Sequence, residues 1–332
     1  MSTVLVTGGA GYIGSHAVKA LHQRGERVVV YDDLSAGHRA ATRHADTVIE
    51  GDINDTAHLT RALQEHQVSA VMHFAAWLSV GDSVKDPSGY YRNNVGGALS
   101  LLDAMVAAKV PHLIFSSTCA VFGSPAPPIT EDLPKAPINA YGETKLAVER
   151  ALPHYERAYG IRTVALRYFN AAGADPDGEL GEDHAPEYHV IPRAIDAALG
   201  RDSFAVFGED YATPDGTCLR DYVHVTDLAA AHLLALDRLR DGGPSGFFNL
   251  GNGRPTSVRD VIAAVERVVG TPVPYTVSPR REGDPDALFA SSERARTELG
   301  WSPRFEDIDV IVETAYRWRQ SRPRGYDDRH AG

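Results

Sequence analysis

Cysteine is nearly absent: 332 residues carry two, Cys119 and Cys218. Two thiols exclude a disulfide scaffold and predict a reducing, cytoplasmic setting. Long apolar runs are missing too. The longest, such as Val28-Val29-Val30-Tyr31, have the length of a strand, far below the ~18 residues of a membrane helix. The first strand-like run, Val4-Leu5-Val6, starts so early that no signal peptide fits ahead of it. Positive charge is in deficit, with 33 Lys and Arg against 44 Asp and Glu and a formal net charge of −11. A general nucleic-acid face is thereby excluded, because phosphate backbones need a basic surface. An anionic small ligand would have to be held by local arginines against the field of the whole protein. No internal repeat or low-complexity tract occurs. What is present is ordinary for a folded chain: 43% hydrophobic and 23% charged residues rule out disordered and fibrous classes.

The first half alternates short apolar runs with helical patterns. Strands are predicted over Thr3–Thr7, Arg27–Tyr31, Val48–Ile49, Ala70–Phe74, His112–Ser116 and Arg162–Arg167. Helices are predicted from the glycine loop to Arg24, and over Thr56–Gln67, Pro87–Lys109 and Asn139–Tyr159. This rhythm means βαβ units on a parallel sheet buried on both faces, the Rossmann doubly wound α/β class. After Asn170 the texture changes: Ala174–Pro186 reads as a loop, and the remainder as a smaller C-terminal α/β lobe. The division expected is residues 1–172 and 173–332, with a segment near 222–251, including Phe247–Leu250, returning to the first sheet. Arg322–Gly332 shows no apolar face and reads as a solvated tail.

Thr7-Gly8-Gly9-Ala10-Gly11-Tyr12-Ile13-Gly14 follows the first strand and opens the first helix. Glycines there let the backbone approach a pyrophosphate, whose charge is favoured at the helix N-terminus. The bland alternative is a tight strand–helix turn. Asp32 decides against it: it ends the next strand, 18 positions past Gly14, near the ~20 at which a carboxylate meets the adenosine ribose diol. A carboxylate repels a 2′-phosphate, so NAD is favoured over NADP. Asp52 reads either as a cap ahead of the Thr56 helix or as a contact to the adenine edge.

Tyr141 and Lys145 stand at i and i+4, which places a phenol and an ammonium on one helix face. An isolated pair of this kind is usually surface. Here it follows a dinucleotide loop, and Ser116-Ser117-Thr118 ends the fifth strand, where open α/β sheets collect ligands. A phenol of pKa near 10 is a poor base at neutral pH. A Lys ammonium and a nicotinium charge are expected to lower it, with Thr118 sharing the substrate oxygen, so that a hydroxyl proton leaves as hydride moves to nicotinamide.

The glycine loop, the Tyr141–Lys145 pair and His73-Phe74-Ala75-Ala76 resemble the extended short-chain dehydrogenase/reductase family. More narrowly, Arg167-Tyr168-Phe169-Asn170, Gly181-Glu182-Asp183, Arg220-Asp221-Tyr222-Val223-His224-Val225, Phe248-Asn249-Leu250-Gly251 and Arg280-Arg281-Glu282-Gly283-Asp284 resemble the UDP-glucose 4-epimerase family. The likeness runs in order over nearly the whole chain. It implies a homodimeric isomerase of galactose metabolism. Such an enzyme interconverts UDP-glucose and UDP-galactose through a transient 4-keto sugar, with NAD as bound cofactor and no metal. By matching position, Tyr141 would be the base, Lys145 its tuner and a ribose ligand, and Thr118 the hydroxyl partner. Gly8, Gly11, Tyr12, Ile13, Gly14, Asp32, Asp52, Ile53, Phe74, Ala75 and Asn93, with Tyr141 and Lys145, would hold NAD. Phe169, Asn170, His189, Val190, Phe207, Arg220, Tyr222, Arg281, Asp284 and Leu288, with Thr118, would hold the UDP-sugar, and Phe169, Val190 and Leu288 would form an apolar wall beside the sugar.

Three positions depart from the family pattern: Leu78 for a lysine near the pyrophosphate, His189 for an asparagine at the uridine diphosphate, and Leu288 for a tyrosine near the sugar. Nucleotide-sugar dehydratases carry an Asp-Glu pair, and the decarboxylases a Glu, where this chain has Cys119 and Ala120. An NAD-binding regulatory protein would be expected to have lost Tyr141 or Lys145. A metal hydrolase is disfavoured because no histidine pair has helical metal-site spacing. His184 and His189 read as a turn residue and a pocket donor. Epimerases of UDP-xylose/UDP-arabinose or UDP-N-acetylhexosamines remain the alternative.

Overall fold

The computed structural model describes residues 2–281 and 284–326. Glu282 and Gly283 of the second arginine motif, and residues 327–332 of the tail, lie outside the described residues. Six strands of the first half run parallel: β1 (Thr3–Thr7), β2 (Arg27–Asp32), β3 (Thr47–Glu50), β4 (Val68–His73), β5 (His112–Thr118) and β6 (Arg162–Tyr168). The seventh is the return strand, Gly246–Leu250, which pairs parallel with β6. The order is return strand–β6–β5–β4–β1–β2–β3. The chain reverses its winding between β1 and β4, so the crevice beyond their C-terminal ends is where a ligand belongs.

The helices of this half are α1 (Tyr12–Gln23), α2 (Thr56–Glu65), α3 (Val80–Lys85), α4 (Pro87–Tyr90), α5 (Gly97–Ala108) and α6 (Ala140–Tyr159). Strand side chains alternate between two buried layers. Val4, Val6, Val28, Val30, Met72 and Ile114 pack with Ala17, Val18 and Leu21 of α1 and with Leu228 and Leu236 of the helix Val225–Arg240. Leu5, Val29, Val71, Leu113 and Phe115 pack with Leu59 and Leu63 of α2, Leu101 and Met105 of α5 and Val148 and Leu152 of α6. Each such side chain contributes about 1.5–3 kcal/mol. A one-residue slip would exchange the layers, so burial on both faces pins the register.

The single helix expected over Pro87–Lys109 is divided. A π-helical turn, Tyr91–Gly96, separates α4 from α5. Asn94 in that turn accounts for it. Its Oδ1 accepts from Trp77 N at 2.8 Å, and its Nδ2 donates to Trp77 O and to Thr144 Oγ1, each at 3.1 Å. The wider turn aims one amide at both the segment after β4 and helix α6.

In the second half, helices Val190–Ala198, Val258–Val269 and Ile308–Ser321 pack around Ile195, Val261, Val265, Ile311 and Val312. The solvated-tail reading is corrected at Tyr326. This ring is buried 4.8 Å from the His38 ring, and its hydroxyl accepts from Gly181 N at 3.2 Å. One aromatic leaves no periodic trace, yet it packs on residues far along the chain. Among the described residues no helix is long and apolar enough to cross a membrane.

Candidate active site

The glycine loop is drawn tight against the ends of β1 and β4. Gly8 has φ +71°, and a Cβ there would lie 2.5 Å from Ala75 N. A Cβ on Gly14 would lie 2.1 Å from Gly8 O. Gly11 caps α1 without any side-chain acceptor, and the first turn holds no acidic residue. That uncapped helix end suits an anion. Asp32 is buried, its two oxygens accepting from Ala10 N and Leu34 N, each at 2.9 Å. Burial pushes its pKa up, while the two N–H groups pull it down. The carboxylate thus braces the loop and sits at the end of β2, where a ribose diol would lie. These features fit NAD.

The other expected cofactor residues are held as follows. Phe74 N donates to Thr7 O at 2.9 Å. Ile53 is buried beneath Gly97, where a Cβ would meet its Cγ2 at 2.4 Å. Ile13 packs on the sheet. Asn93 Nδ2 donates to Asn94 Oδ1 at 3.0 Å. Tyr12 is tied to the second lobe, its hydroxyl donating to Gly173 O at 2.6 Å. Asp52 is exposed and accepts from Asn54 N at 2.8 Å; the cap of α2 is Asp55, through His58 N at 2.9 Å. Leu78 is exposed.

Asn139 caps α6 by accepting from Gly142 N at 2.9 Å, which fixes where Tyr141 and Lys145 emerge. Burial of the Tyr141 hydroxyl pushes its pKa up to about 12, and the Thr118 hydroxyl pulls the other way. Lys145 is buried; its Nζ donates to Ser116 O at 2.9 Å and lies 5.0 Å from the Phe115 ring centre. Burial pulls this ammonium down to about 7, opposed by Glu149. In the protein alone, burial outweighs what lowers the Tyr141 pKa. Desolvation dominates both groups in the protein alone, so the phenol titrates high and the ammonium low.

A buried network behind Lys145 is invisible to motif reading. Glu149, one turn beyond Lys145, accepts from Ser117 Oγ at 2.6 Å, and from Arg167 Nε at 2.8 Å and Nη2 at 2.7 Å. Tyr168 hydrogen-bonds Ser116 side chain to side chain. The i, i+4 spacing of Lys145 and Glu149 on α6 was the one available signal. Cys119, beside Thr118, is a buried thiol pushed up to about 12 by desolvation. Neither it nor Ala120 offers an acid or base at neutral pH.

Four expected substrate residues line one cleft: Asn170, His189, Val190 and Tyr222, joined by Glu182. Asn170 is held by Asp221 O at 3.0 Å. Arg220 forms an ion pair with Asp284 and donates to Leu219 O at 2.8 Å and Pro285 O at 3.0 Å. Arg281 is exposed, with its guanidinium 4.1 Å from the Phe207 ring centre. Phe169 and Leu288 share a cluster with Cys119, whereas Val190 packs with the core around Ile195 and Val261. The His189 ring is no simple donor, since its Nδ1 is hydrogen-bonded to Glu182. Glu182 and Glu187 hold its pKa up at about 10 against burial.

Residues 4–251 match the model of a family described as the NAD dependent epimerase/dehydratase family. A UDP-glucose 4-epimerase of Halalkalibacterium halodurans is 51% identical over 325 residues, 97% of each chain. The structure of a UDP-glucose 4-epimerase from Brucella ovis in complex with NAD superposes with TM-score 0.93 at 52% identity, covering 95% of this chain and 98% of the other. A UDP-glucose 4-epimerase of Stenotrophomonas maltophila, solved with NAD and formylated UDP-arabinopyranose, is 39% identical with TM-score 0.93, covering 98% and 99%. With the sheet, the glycine loop and the Tyr141–Lys145 pair already in place, this agreement along the chain shows that the protein belongs to the NAD dependent epimerase/dehydratase family.

Proposed function

We infer that the protein is an NAD-dependent UDP-glucose 4-epimerase, an isomerase that interconverts UDP-glucose and UDP-galactose. The observation that carries this reading is the convergence of Thr118, Tyr141 and Lys145 beyond the sheet, beside a carboxylate-braced glycine loop. Residues 1–172 with the return strand would hold the cofactor, and residues 173–332 most of the UDP-sugar. Bound NAD supplies a hydride acceptor and donor for the sugar C4, with a positive charge that favours the phenolate. Tyr141 takes the C4 hydroxyl proton and returns it, and Thr118 holds the same oxygen. Arg220, anchored by Asp284, and Arg281, stacked on Phe207, supply cations for the diphosphate. Cys119 and Ala120 leave a 4-keto sugar with no partner for elimination, which speaks against dehydration.

Incubation of the purified protein with UDP-galactose, without added NAD, tests the reading. Chromatography should show UDP-glucose approaching equilibrium. Elimination products, or no conversion even with NAD, would refute it. The second reading, a preference for pentose or N-acetylated sugars, rests on Leu288, half-buried against Phe169 where a bulkier side chain would narrow the site. On it, Leu288→Tyr should abolish turnover of UDP-N-acetylglucosamine and spare UDP-galactose; equal losses would remove Leu288 as a gate.

Two finer points belong to the same proposal. The two buried free cysteines suit the reducing cytoplasm. The outer face of α5 and α6, where Tyr155 donates to Asp103 at 2.7 Å and Tyr159 is 60% exposed, offers a surface to a second copy. Light scattering should give a homodimer.

A further inference from the structure

We propose that Glu182, His184, Glu187 and His189 form a site for one divalent transition-metal ion of the zinc class. The four residues lie between Gly181 and the helix that begins at Val190. Each offers one ligand atom, and these atoms all lie within 4.8 Å of one another. Glu182 Oε1 is 3.3 Å from His184 Nδ1, and Glu187 Oε1 is 3.6 Å from His184 Nδ1 and 3.5 Å from His189 Nδ1. A tetrahedral ion with bonds of about 2.0–2.2 Å sets its ligand atoms about 3.3–3.6 Å apart. Three edges of such a tetrahedron are therefore already at length. The Glu182–His189 hydrogen bond is the edge that must open as an ion enters.

Glu187 Oε1, the oxygen that makes two of these edges, also accepts from Tyr188 N at 2.8 Å and His189 N at 3.0 Å, while Glu187 Oε2 is buried with no hydrogen-bond partner. Both carboxylates are shielded, with side chains only 7% and 12% exposed. Two imidazole nitrogens with two carboxylate oxygens suit zinc, whereas magnesium and calcium want six or more oxygens. Two carboxylates also match the charge of a dication. The sequence hides the site because its spacing belongs to a loop and not to a helix face.

The consequence reaches the cleft. His189 and Glu182 line it with Asn170, Val190 and Tyr222. Ligation through Nδ1 leaves the ring proton of His189 on Nε2. A bound ion would thus fix both the tautomer of this ring and the loop that carries it. Binding is read directly, so the proposal stands or falls separately from the epimerase assignment.

The test is a titration of the tag-free, full-length protein, as purified and freed of adventitious metal by chelator, with Co2+ alone and then Zn2+ alone. One equivalent of Co2+ should give the intense visible absorption of a tetrahedral ion. Zn2+ should abolish it, and saturating Zn2+ should raise Tm by several degrees. Glu187→Gln and, separately, His184→Gln should each weaken binding at least about tenfold. A pale octahedral spectrum, uptake without defined stoichiometry, or undiminished affinity in both variants would overturn the proposal. Glu187→Gln preserves size and carries the comparison should the histidine variant fail to fold; the wild-type titration decides if neither folds.

Discussion

Thr118→Val keeps the side chain's volume and deletes its hydroxyl. Of the groups acting on Tyr141, Thr118 lowers the pKa, while burial, Cys119 and Tyr90 raise it. A hydrogen bond to a charged group is worth about 1.5–3 kcal/mol, and one pKa unit corresponds to about 1.4 kcal/mol. The phenol should therefore climb by about one to two units. Below its pKa the phenolate fraction falls tenfold per unit, so kcat at neutral pH should drop about tenfold to a hundredfold. While pH lies below both values the deficit should be constant, and it should close only as pH passes the wild-type pKa of the phenol. Thr118 also accepts from Ala120 N at 3.2 Å, capping the short turn Cys119–Phe122. Valine should thus cost about 1 kcal/mol of stability as well, which a melting curve separates from catalysis. The assay is kcat for UDP-galactose from roughly pH 6 to pH 10, comparing wild type, Thr118→Val and Thr118→Ser. Serine should restore both rate and profile. A loss that serine does not restore would show that the hydroxyl does not tune Tyr141, and the reasoning would fail. An unchanged rate would remove Thr118 from the site altogether.

Tyr141→Phe preserves the ring and deletes the base, so kcat should fall about 10²–10⁴-fold while NAD released on denaturation stays at the wild-type amount; retained turnover would refute the role. Glu149→Gln strands the Arg167 guanidinium in the core and should cost about 3–5 kcal/mol in urea unfolding, whereas Glu149→Met with Arg167→Met should recover much of that loss; an additive double mutant would contradict the pairing. Arg281→Leu should raise KM for UDP-galactose about tenfold or more and leave Tm unchanged, because this exposed side chain contributes its charge and not its packing; an unaltered KM would mark it as ordinary surface.

The sequence was most legible where one local pattern had one local cause. β1 coincides with its predicted span because five consecutive buried residues precede glycines that tolerate nothing larger. Asp32 is legible because a strand end and a spacing place it, although the N–H it accepts from at Ala10 lies 22 positions back. Legibility failed where a side chain answered to something far along the chain. The π turn around Asn94 exists for partners 17 and 50 positions away, so an apolar period over Pro87–Lys109 could only suggest an unbroken helix. Tyr326 docks on His38 and Gly181 and carries no periodic signal.

The same rule bears on Tyr141 and Lys145. Spacing on one helix face correctly gave their proximity, but spacing says nothing of solvent. Lys145 is enclosed by Phe115, the Ser116 carbonyl and Glu149, and its ammonium titrates near 7 where a solvated lysine would stay charged. Glu149 opposes that fall, and its carboxylate is paired with Arg167 at 2.7 Å. Glu149, outside the Tyr141–Lys145 pair, thereby acts on the charge of Lys145, though less than burial does. Charge supplied by a ligand in the crevice must tip the balance toward phenolate. On the proposed mechanism, proton removal by Tyr141 would in this way be coupled to the presence of the hydride acceptor.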